Sequence, residues 1–460
     1  MWKLARDDFA EYGDIHIAMP NAVTVCDPDD IRVLLNNNDV NKASHYKILR
    51  FTGIDNTLSF LKTEDALVRH RQMGPFLKSA YLSKMEDTIM REGVQSIKQK
   101  WDMLLDQSKT GSVEVNYSDD IIVGVFAIIS TLVYGKRIKE LNGNSSMSAS
   151  WIKRSLTFLG IRAMVQLLPS IISKPLLYPW EHYYTRLSNY THEAIAQRKH
   201  YLRSLEDSGK DSEKPADLLQ ALIDAEDAES NSRLSYDELH AECLLMMQAG
   251  TDTTSQTITT TIHLLLLHPQ YLKKAVGEIR SQFSRDHVIT YKECREQLPF
   301  LEACIFESLR LEPVTGGILA REAPKGGLII KEHFIPEGTT VTVNFAAANR
   351  HYRHWDNPLE FNPSRFFCNK SAQNKIMTFS YGRRTCPGRQ LAWWEMFAII
   401  ANVLKDYDLA LLPNCTQFGP EVLDKNGYPK TMDWRMFITI KPENSDRDCR
   451  IHISKAASTV

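Results

Sequence analysis

The sequence predicts a mainly α-helical chain with a minor β component, folded as a single domain over residues 1–460. Three observations lead there. Long stretches carry apolar residues at helical spacing, the clearest running from about Ser235 to His268 and closed by Pro269. Strand-like alternation is short and confined to residues 15–25, 318–343 and 434–442. No linker, internal repeat or low-complexity segment divides the chain, although its length alone would permit two or three domains.

In chain order, Ile15, Ile17 and Met19 alternate with other residues, and Val23 and Val25 do so again after Pro20-Asn21, which reads as a hairpin. Asp27-Pro28 opens a short helix, with Asp27 as its N-cap and Pro28 in the first turn. From about Lys62 to Asp207 the pattern is mostly helical, broken by two loops. One is polar, around Asn142 to Ser150. The other, Leu167 to Trp180, carries Pro169, Pro175 and Pro179 among large apolar residues. It reads either as a loop packed on a helix pair or as a lid touching lipid or substrate. Ser208 to Pro215 is a charged connector. After the Ser235–His268 helix comes another, about Leu298 to Leu311, ended by Pro313. Short strands follow between Ile318 and Val343, with turns at Lys325-Gly326-Gly327 and Pro336-Glu337-Gly338. A last long helix begins just after Cys386, and Trp434 to Pro442 reads as strand.

Composition narrows the function classes. Hydrophobic residues make up 43% and charged residues 24%, ordinary for a globular chain with a sizeable core. With 55 basic and 56 acidic residues, nothing steers the whole molecule towards nucleic acid. The eight cysteines show no zinc spacing and follow no secretory leader, which points to a reducing compartment without disulfides. The longest apolar run, Ile121 to Tyr134, falls short of the ~20 residues a membrane span needs, so it reads as a core helix. No transmembrane anchor is expected in this chain.

The most informative segment is Phe379-Ser380-Tyr381-Gly382-Arg383-Arg384-Thr385-Cys386-Pro387-Gly388-Arg389. Gly382 permits a tight turn that a side chain would obstruct. Pro387 fits a first helical position. Cys386 then sits at a helix N-terminus, where free amides favour thiolate over thiol. Gly388 allows close approach of a flat ligand, and Arg384 offers a fork for a carboxylate. A lone cysteine is ordinarily a buried structural residue. Five spaced matches (Phe379, Gly382, Arg384, Cys386 and Gly388) favour a ligand instead.

This segment resembles the heme-binding loop of cytochromes P450, Phe-x-x-Gly-x-Arg-x-Cys-x-Gly. The resemblance implies heme b (iron protoporphyrin IX) with Cys386 as its thiolate ligand, Phe379 and Arg384 beside it, and the heme between the long central helix and the cysteine-bearing helix. Other segments carry the resemblance across nearly the whole chain. Glu307-Ser308-Leu309-Arg310 puts both charges on one helix face, amid apolar neighbours. It is similar to the family's Glu-x-x-Arg pair, and Arg365 in Asn362-Pro363-Ser364-Arg365-Phe366 resembles that pair's second arginine partner. Their implied role is to brace the cysteine loop.

Ala249-Gly250-Thr251-Asp252-Thr253-Thr254 lies inside the long helix, where glycine and clustered threonine are poor choices. Threonine hydroxyls can bond back to carbonyls and open the helix locally. The segment resembles the family's oxygen-groove motif, which implies Gly250 beside the cofactor and Asp252 and Thr253 as the groups that deliver protons. Arg71 and Arg321 match places where the family contacts heme propionates, although Leu67 departs from the Trp or His usual four residues before Arg71. The start, Tyr12-Gly13-Asp14-Ile15, and the run Leu391-Ala392-Trp393 are similar to fungal secondary-metabolism members.

The implied activity is monooxygenation of a hydrophobic small molecule with dioxygen, in a polyketide, terpenoid or alkaloid pathway. The chain has no Gly-x-Gly-x-x-Gly segment for nicotinamide or flavin. Electrons should therefore come from an NADPH-dependent flavoprotein reductase, with Arg383 and Arg389 as a local docking patch. Family resemblance implies the cytoplasmic side of the endoplasmic reticulum, with peripheral membrane contact through the Leu167–Trp180 segment. Three alternatives stay open. One is a same-fold enzyme that rearranges or dehydrates its substrate without external electrons, against which Asp252 and Thr253 argue. The others are a non-catalytic heme binder and a heme-free helical scaffold.

Overall fold

The N-terminal alternation folds into the expected hairpin. Strands β1 (Ile15–Met19) and β2 (Ala22–Val25) pair antiparallel, and Asn21 takes the left-handed backbone (φ 61°) that the turn needs. Helix α1 (Pro28–Asn36) starts where Asp27 Oδ1 accepts from the Asp29 and Asp30 amides at 2.9 and 3.1 Å. That satisfies donors left free at a helix start. This computed structural model describes residues 11–50, 52–135, 154–155, 157–158, 161–162, 165, 168–210, 214–316, 319–436 and 438–456. The expected Asn142–Ser150 loop and residue Leu167 lie outside them.

β2 is joined in parallel by β8 (Thr340–Val343), which pairs antiparallel with β5 (Leu319–Glu322), which pairs in turn with β3 (Asn41–Lys42). The five-stranded sheet, β1-β2-β8-β5-β3, thus ties the N-terminal segment to the last third of the chain. β6 (Leu328–Ile330) and β7 (His333–Ile335) form a hairpin beside it. Four strands escape the sequence reading: β3, and β4 (Ser112–Asn116), β9 (Tyr407–Leu411) and β12 (Arg450–Lys455), which form a second sheet in the order β4-β12-β9. The Trp434–Pro442 tail is a hairpin and not one strand, with β10 (Trp434–Met436) paired antiparallel to β11 (Ile440–Pro442).

Helices supply the bulk. α2 (Thr63–Met73) and α3 (Tyr117–Tyr134) precede α4 (Ser170–Asp207). The expected loop at Leu167–Trp180 is corrected here. From Ser170 onward it is helix, launched by the Pro169 carbonyl, which accepts from the Ile172 and Ser173 amides. Pro175 and Pro179 lie inside it and leave two carbonyls of the ladder without amide partners. Its first turns expose Ile171, Ile172, Leu176 and Tyr178, while Leu177 and Trp180 pack on the core.

α5 (Tyr236–Leu267) opens with a reciprocal cap: the Glu238 amide donates to Ser235 Oγ at 3.3 Å and the Ser235 amide to Glu238 Oε2 at 2.9 Å. α6 (Pro269–Gln282), α7 (Pro299–Leu311) and α8 (Arg389–Asp406) follow. α5 runs through the centre, packed against α3, α7 and α8, and one continuous apolar core extends from Met73 to Ile453. Among the described residues, α3 alone is long and apolar enough to cross a membrane, and 83% of it is buried within the protein. It is a core helix, as the run Ile121–Tyr134 predicts.

Candidate active site

The cysteine loop is built from reversed backbone. Ser380 (φ 63°) and Gly382 (φ 70°) both occupy the left-handed region. A Cβ at Gly382 would lie 2.7 Å from the Leu35 carbonyl oxygen and 2.6 Å from Asn36 Oδ1, so glycine is required there. The Cys386 amide closes the loop on the Phe379 carbonyl at 2.9 Å. Pro387 and Gly388 form a turn and α8 begins at Arg389, so Pro387 precedes the helix instead of opening it. The Arg389 amide donates to the Cys386 carbonyl at 3.4 Å. Burial pushes the thiol up, while the Gly388 amide, the Arg389 charge and the Arg389 amide pull it back. The side chain of Cys386 is exposed, yet its sulfur is closely surrounded by protein. That combination marks a recess and not the outer surface. Phe379 is half-buried, with the Arg389 guanidinium 5.6 Å from its ring centre.

Helix α5 carries an open stripe. From Leu239 to Leu267 every residue is buried except Met246, Ala249, Gly250 and Thr253, which recur at helical spacing on one face. Thr253 donates its hydroxyl to the Ala249 carbonyl at 2.8 Å, and Thr257 and Thr261 repeat the pattern one and two turns on at 2.9 Å. The helix is continuous through this run, without the local opening that the threonines suggest. Gly250 lies at the edge of the stripe, but a Cβ there would meet Ile129 Cδ1 at 2.9 Å. Glycine at 250 thus also serves the close packing of α3 on α5. Asp252 is buried and turns away from the stripe towards β11, where Lys441 Nζ lies 2.7 Å from its carboxylate.

A group of buried cations gathers beside the loop. Lys42 and Arg321 are direct partners across the β3–β5 register. Lys42 Nζ bonds the Leu58 carbonyl at 2.6 Å and lies 4.5 Å from the Tyr46 ring centre. Burial, then the charges of Arg384 and Arg321, holds Lys42 well below the usual lysine range. Arg384 is lowered to about 10 by burial and by Arg321, and His70 to about 4 by burial, Arg384 and Lys42. Arg384 satisfies itself on the carbonyls of Thr57, Phe60 and Lys62 at 3.0–3.3 Å. Among the described residues no carboxylate forms an ion pair with Lys42, Arg321 or Arg384. Arg71 does not join them. Its Nε lies 2.5 Å from Asp227 and its Nη2 3.2 Å from Glu229, on another face of α2. One residue of helix is about 100° of rotation, and α2 presents His70 to the cations instead.

Behind the loop, Arg310 meets Glu307 with two bonds, Nε–Oε2 at 2.7 Å and Nη2–Oε1 at 2.8 Å. Arg365 Nε approaches Glu307 Oε1 at 3.4 Å, and the Asn362 amide donates to the same oxygen at 2.7 Å. Arg310 also donates to the carbonyls of Asn349, Pro358 and Glu360. Asn349 carries the connection onward: its Oδ1 accepts from the Met377 amide at 3.1 Å and its Nδ2 donates to Thr378 Oγ1 at 3.0 Å. Phe379 is the next residue, so the brace reaches the cysteine loop through the backbone.

Residues 5–421 match the family model described as Cytochrome P450. The chain belongs to the cytochrome P450 family. It is 40% identical to cytochrome P450 monooxygenase helB1 of Aspergillus fumigatus over 453 residues, covering 98% of this chain and 77% of that protein. It is 36% identical to helB2 of the same organism, covering 98% and 88%, and 35% identical to helB3, covering 98% and 87%. This P450 is accordingly a monooxygenase, an oxidoreductase that incorporates oxygen with the help of a redox partner.

The cofactor of this family is heme with a cysteine thiolate, and the residues present fit it. The recess exposes Cys386. A Cβ on Gly388 would meet Cys386 Sγ alone, at 3.9 Å, so that side of the loop is free for a flat ring. Among the described residues no carboxylate is in ion-pair contact with these cations, and two propionates would supply that contact. Cys449, further along the chain, is wholly buried with its sulfur 4.0 Å from Met432 Sδ and has no such open face. Lys42, Tyr46 and His70 were missed in the sequence. The β3–β5 pairing and the rotation of α2 bring them in, and neither leaves a local motif.

Proposed function

We propose that this P450 holds heme through Cys386, with Lys42, Arg321 and Arg384 on the propionates and Tyr46 and His70 beside them. The observation that carries this is the exposed Cys386 residue, whose sulfur lies in a recess beside Gly388 and the start of α8. Bound heme thiolate supplies dioxygen activation, which places one oxygen atom in the substrate and the other in water. The chain's own residues do the rest. The Gly388 and Arg389 amides steady the sulfur's charge. The cations fix the ring's orientation. Thr253 presents a hydroxyl on the open stripe, and Asp252, next to it in the chain, is the acid that passes protons forward. Glu307, Arg310 and Arg365 brace the loop without touching reacting atoms.

The substrate is a hydrophobic small molecule of fungal secondary metabolism, of polyketide, terpenoid or alkaloid type. Its support is the apolar lining at Met246 and Ala249 together with the fungal relatives. The electron donor is an NADPH-dependent flavoprotein reductase docking near the exposed Arg383 and Arg389. The chain works as one domain, supported by the five-stranded sheet that ties its N-terminal segment to its last third. It works on the cytoplasmic side of the endoplasmic reticulum, and the exposed Ile171, Ile172, Leu176 and Tyr178 of α4 make its peripheral membrane contact. A reduced carbon monoxide difference spectrum tests the core of this reading. The thiolate-type band should be present in the wild type and in Cys449→Ser, and absent in Cys386→Ser with helical content retained. The band persisting in Cys386→Ser overturns it. Product formation that needs no NADPH or reductase would move the enzyme to the rearrangement class.

A further inference from the structure

The carboxylate of Asp252 is held from behind by the C-terminal hairpin. Lys441 Nζ of β11 lies 2.7 Å from Oδ1, and Thr439 donates its hydroxyl to Oδ2. Asp252 and Thr439 are buried, while the Lys441 side chain keeps 22% of its surface in contact with solvent. The hairpin is itself fixed: the Ile440 amide donates to the Val314 carbonyl at 2.9 Å, and upstream the Met432 amide donates to His263 Nε2 at 3.1 Å. Both carboxylate oxygens therefore have a dedicated partner, on an element anchored to α5 and to the segment after α7. Thr253, the next residue and about 100° round the helix, faces the open stripe.

A carboxylate passes protons efficiently only when its position is set beforehand, because a freely rotating acid must be reordered at every turnover. Asp252 is set by one ammonium and one hydroxyl, and the lysine side chain that carries the ammonium is partly exposed. We propose that Lys441 and Thr439 are positioning residues for proton delivery by Asp252, coupling the β10–β11 hairpin to the proton path. The inference rests on the assignment of Asp252 as the proton-passing acid.

The test uses the purified heme-loaded protein with an NADPH-dependent reductase and no added substrate. Two quantities are read in Lys441→Met, Lys441→Arg, Thr439→Val and Asp252→Asn. One is amide hydrogen exchange across residues 434–442. The other is the fraction of NADPH electrons recovered as hydrogen peroxide, with its solvent deuterium isotope effect. Exchange in the hairpin should rise roughly tenfold in Lys441→Met and Asp252→Asn. The peroxide fraction should rise at least about threefold in both, and Lys441→Arg should restore both readouts. Wild-type exchange in Lys441→Met overturns the proposal, since no clamp was lost. Faster exchange with unchanged peroxide fraction and isotope effect overturns it too, since the clamp is then only structural. A wild-type peroxide fraction in Asp252→Asn instead sinks the assignment of Asp252 itself. If Lys441→Met fails to retain heme, Thr439→Val, which removes only the hydroxyl, decides by the same criteria.

Discussion

Glu307 and Arg310 face each other through two bonds of 2.7 and 2.8 Å, and neither side chain touches solvent. Breaking such a pair from one side leaves a buried charge without compensation, at about 3–5 kcal/mol. Glu307→Ala and Arg310→Leu are each expected to lower the unfolding free energy by that order, read from denaturant melts, and to abolish the carbon monoxide band. Arg310→Lys should rescue little, since a point charge cannot reproduce the fork and the three carbonyl contacts. A band of wild-type intensity in Arg310→Leu would show that the brace is dispensable.

Lys42 offers a prediction in which two signs oppose. In the heme-free chain it is a buried cation beside Arg321 and Arg384, so Lys42→Met should raise the apoprotein's melting temperature. The same change removes a charge-assisted contact to a propionate, worth about 1.5–3 kcal/mol, and should speed heme loss to an acceptor globin. Stability and heme retention moving together would reduce Lys42 to a packing residue.

Glu242, on the buried N-terminal half of α5, accepts from the Thr57 amide at 2.8 Å and lies 3.2 Å from Arg69 Nε. Burial raises its carboxyl to about 7, against the pull of Arg69 and Thr57. An unfolded chain sheds that proton near the ordinary value of 4.5. Between those limits the folded state binds more protons, so this group's contribution to stability falls as pH rises and levels off above 7. The slope is at most one proton, about 1.4 kcal/mol per pH unit. Denaturant midpoints from pH 5 to 8 should fall less steeply in Glu242→Gln, and equal slopes would refute the assignment.

Arg71→Ala separates the ion pair on α2 from the cofactor cradle. Asp227 would lose its guanidinium partner, so the denaturant midpoint should fall. Heme affinity should stay at the wild-type level, whereas Arg384→Leu should weaken it. A matching loss of heme in Arg71→Ala would return that side chain to the propionates.

What was legible in the sequence was what is written locally. α5 announced itself through its period and the closing Pro269. Cys386, Arg384, Glu307, Arg310 and Arg365 belong to short spaced motifs, and the Glu307 cluster assembles as those motifs imply. What was not legible depends on pairing or rotation. β4, β9 and β12 are short segments next to helices, and their Val113, Val115, Ile451 and Ile453 make sense only once they are seen side by side. Lys42 becomes a neighbour of Arg321 through strand register, and His70 displaces Arg71 by a single step of helix. The Pro-rich segment misled for a different reason. Proline was read as a breaker, but an exposed helix start can bear the missing bonds because water takes the freed carbonyls.

The turn at Gly382 abuts the Leu35 carbonyl, and the cradle draws on positions 42, 70, 321, 384 and 386. During synthesis these pieces leave the ribosome far apart in time, the first more than three hundred residues ahead of the last. A nascent chain that stops short of the cysteine helix has a finished β1–β2 hairpin and nowhere to seat a porphyrin. Capture of the cofactor through these residues must therefore wait until the cysteine helix has been made, late in the synthesis of the polypeptide.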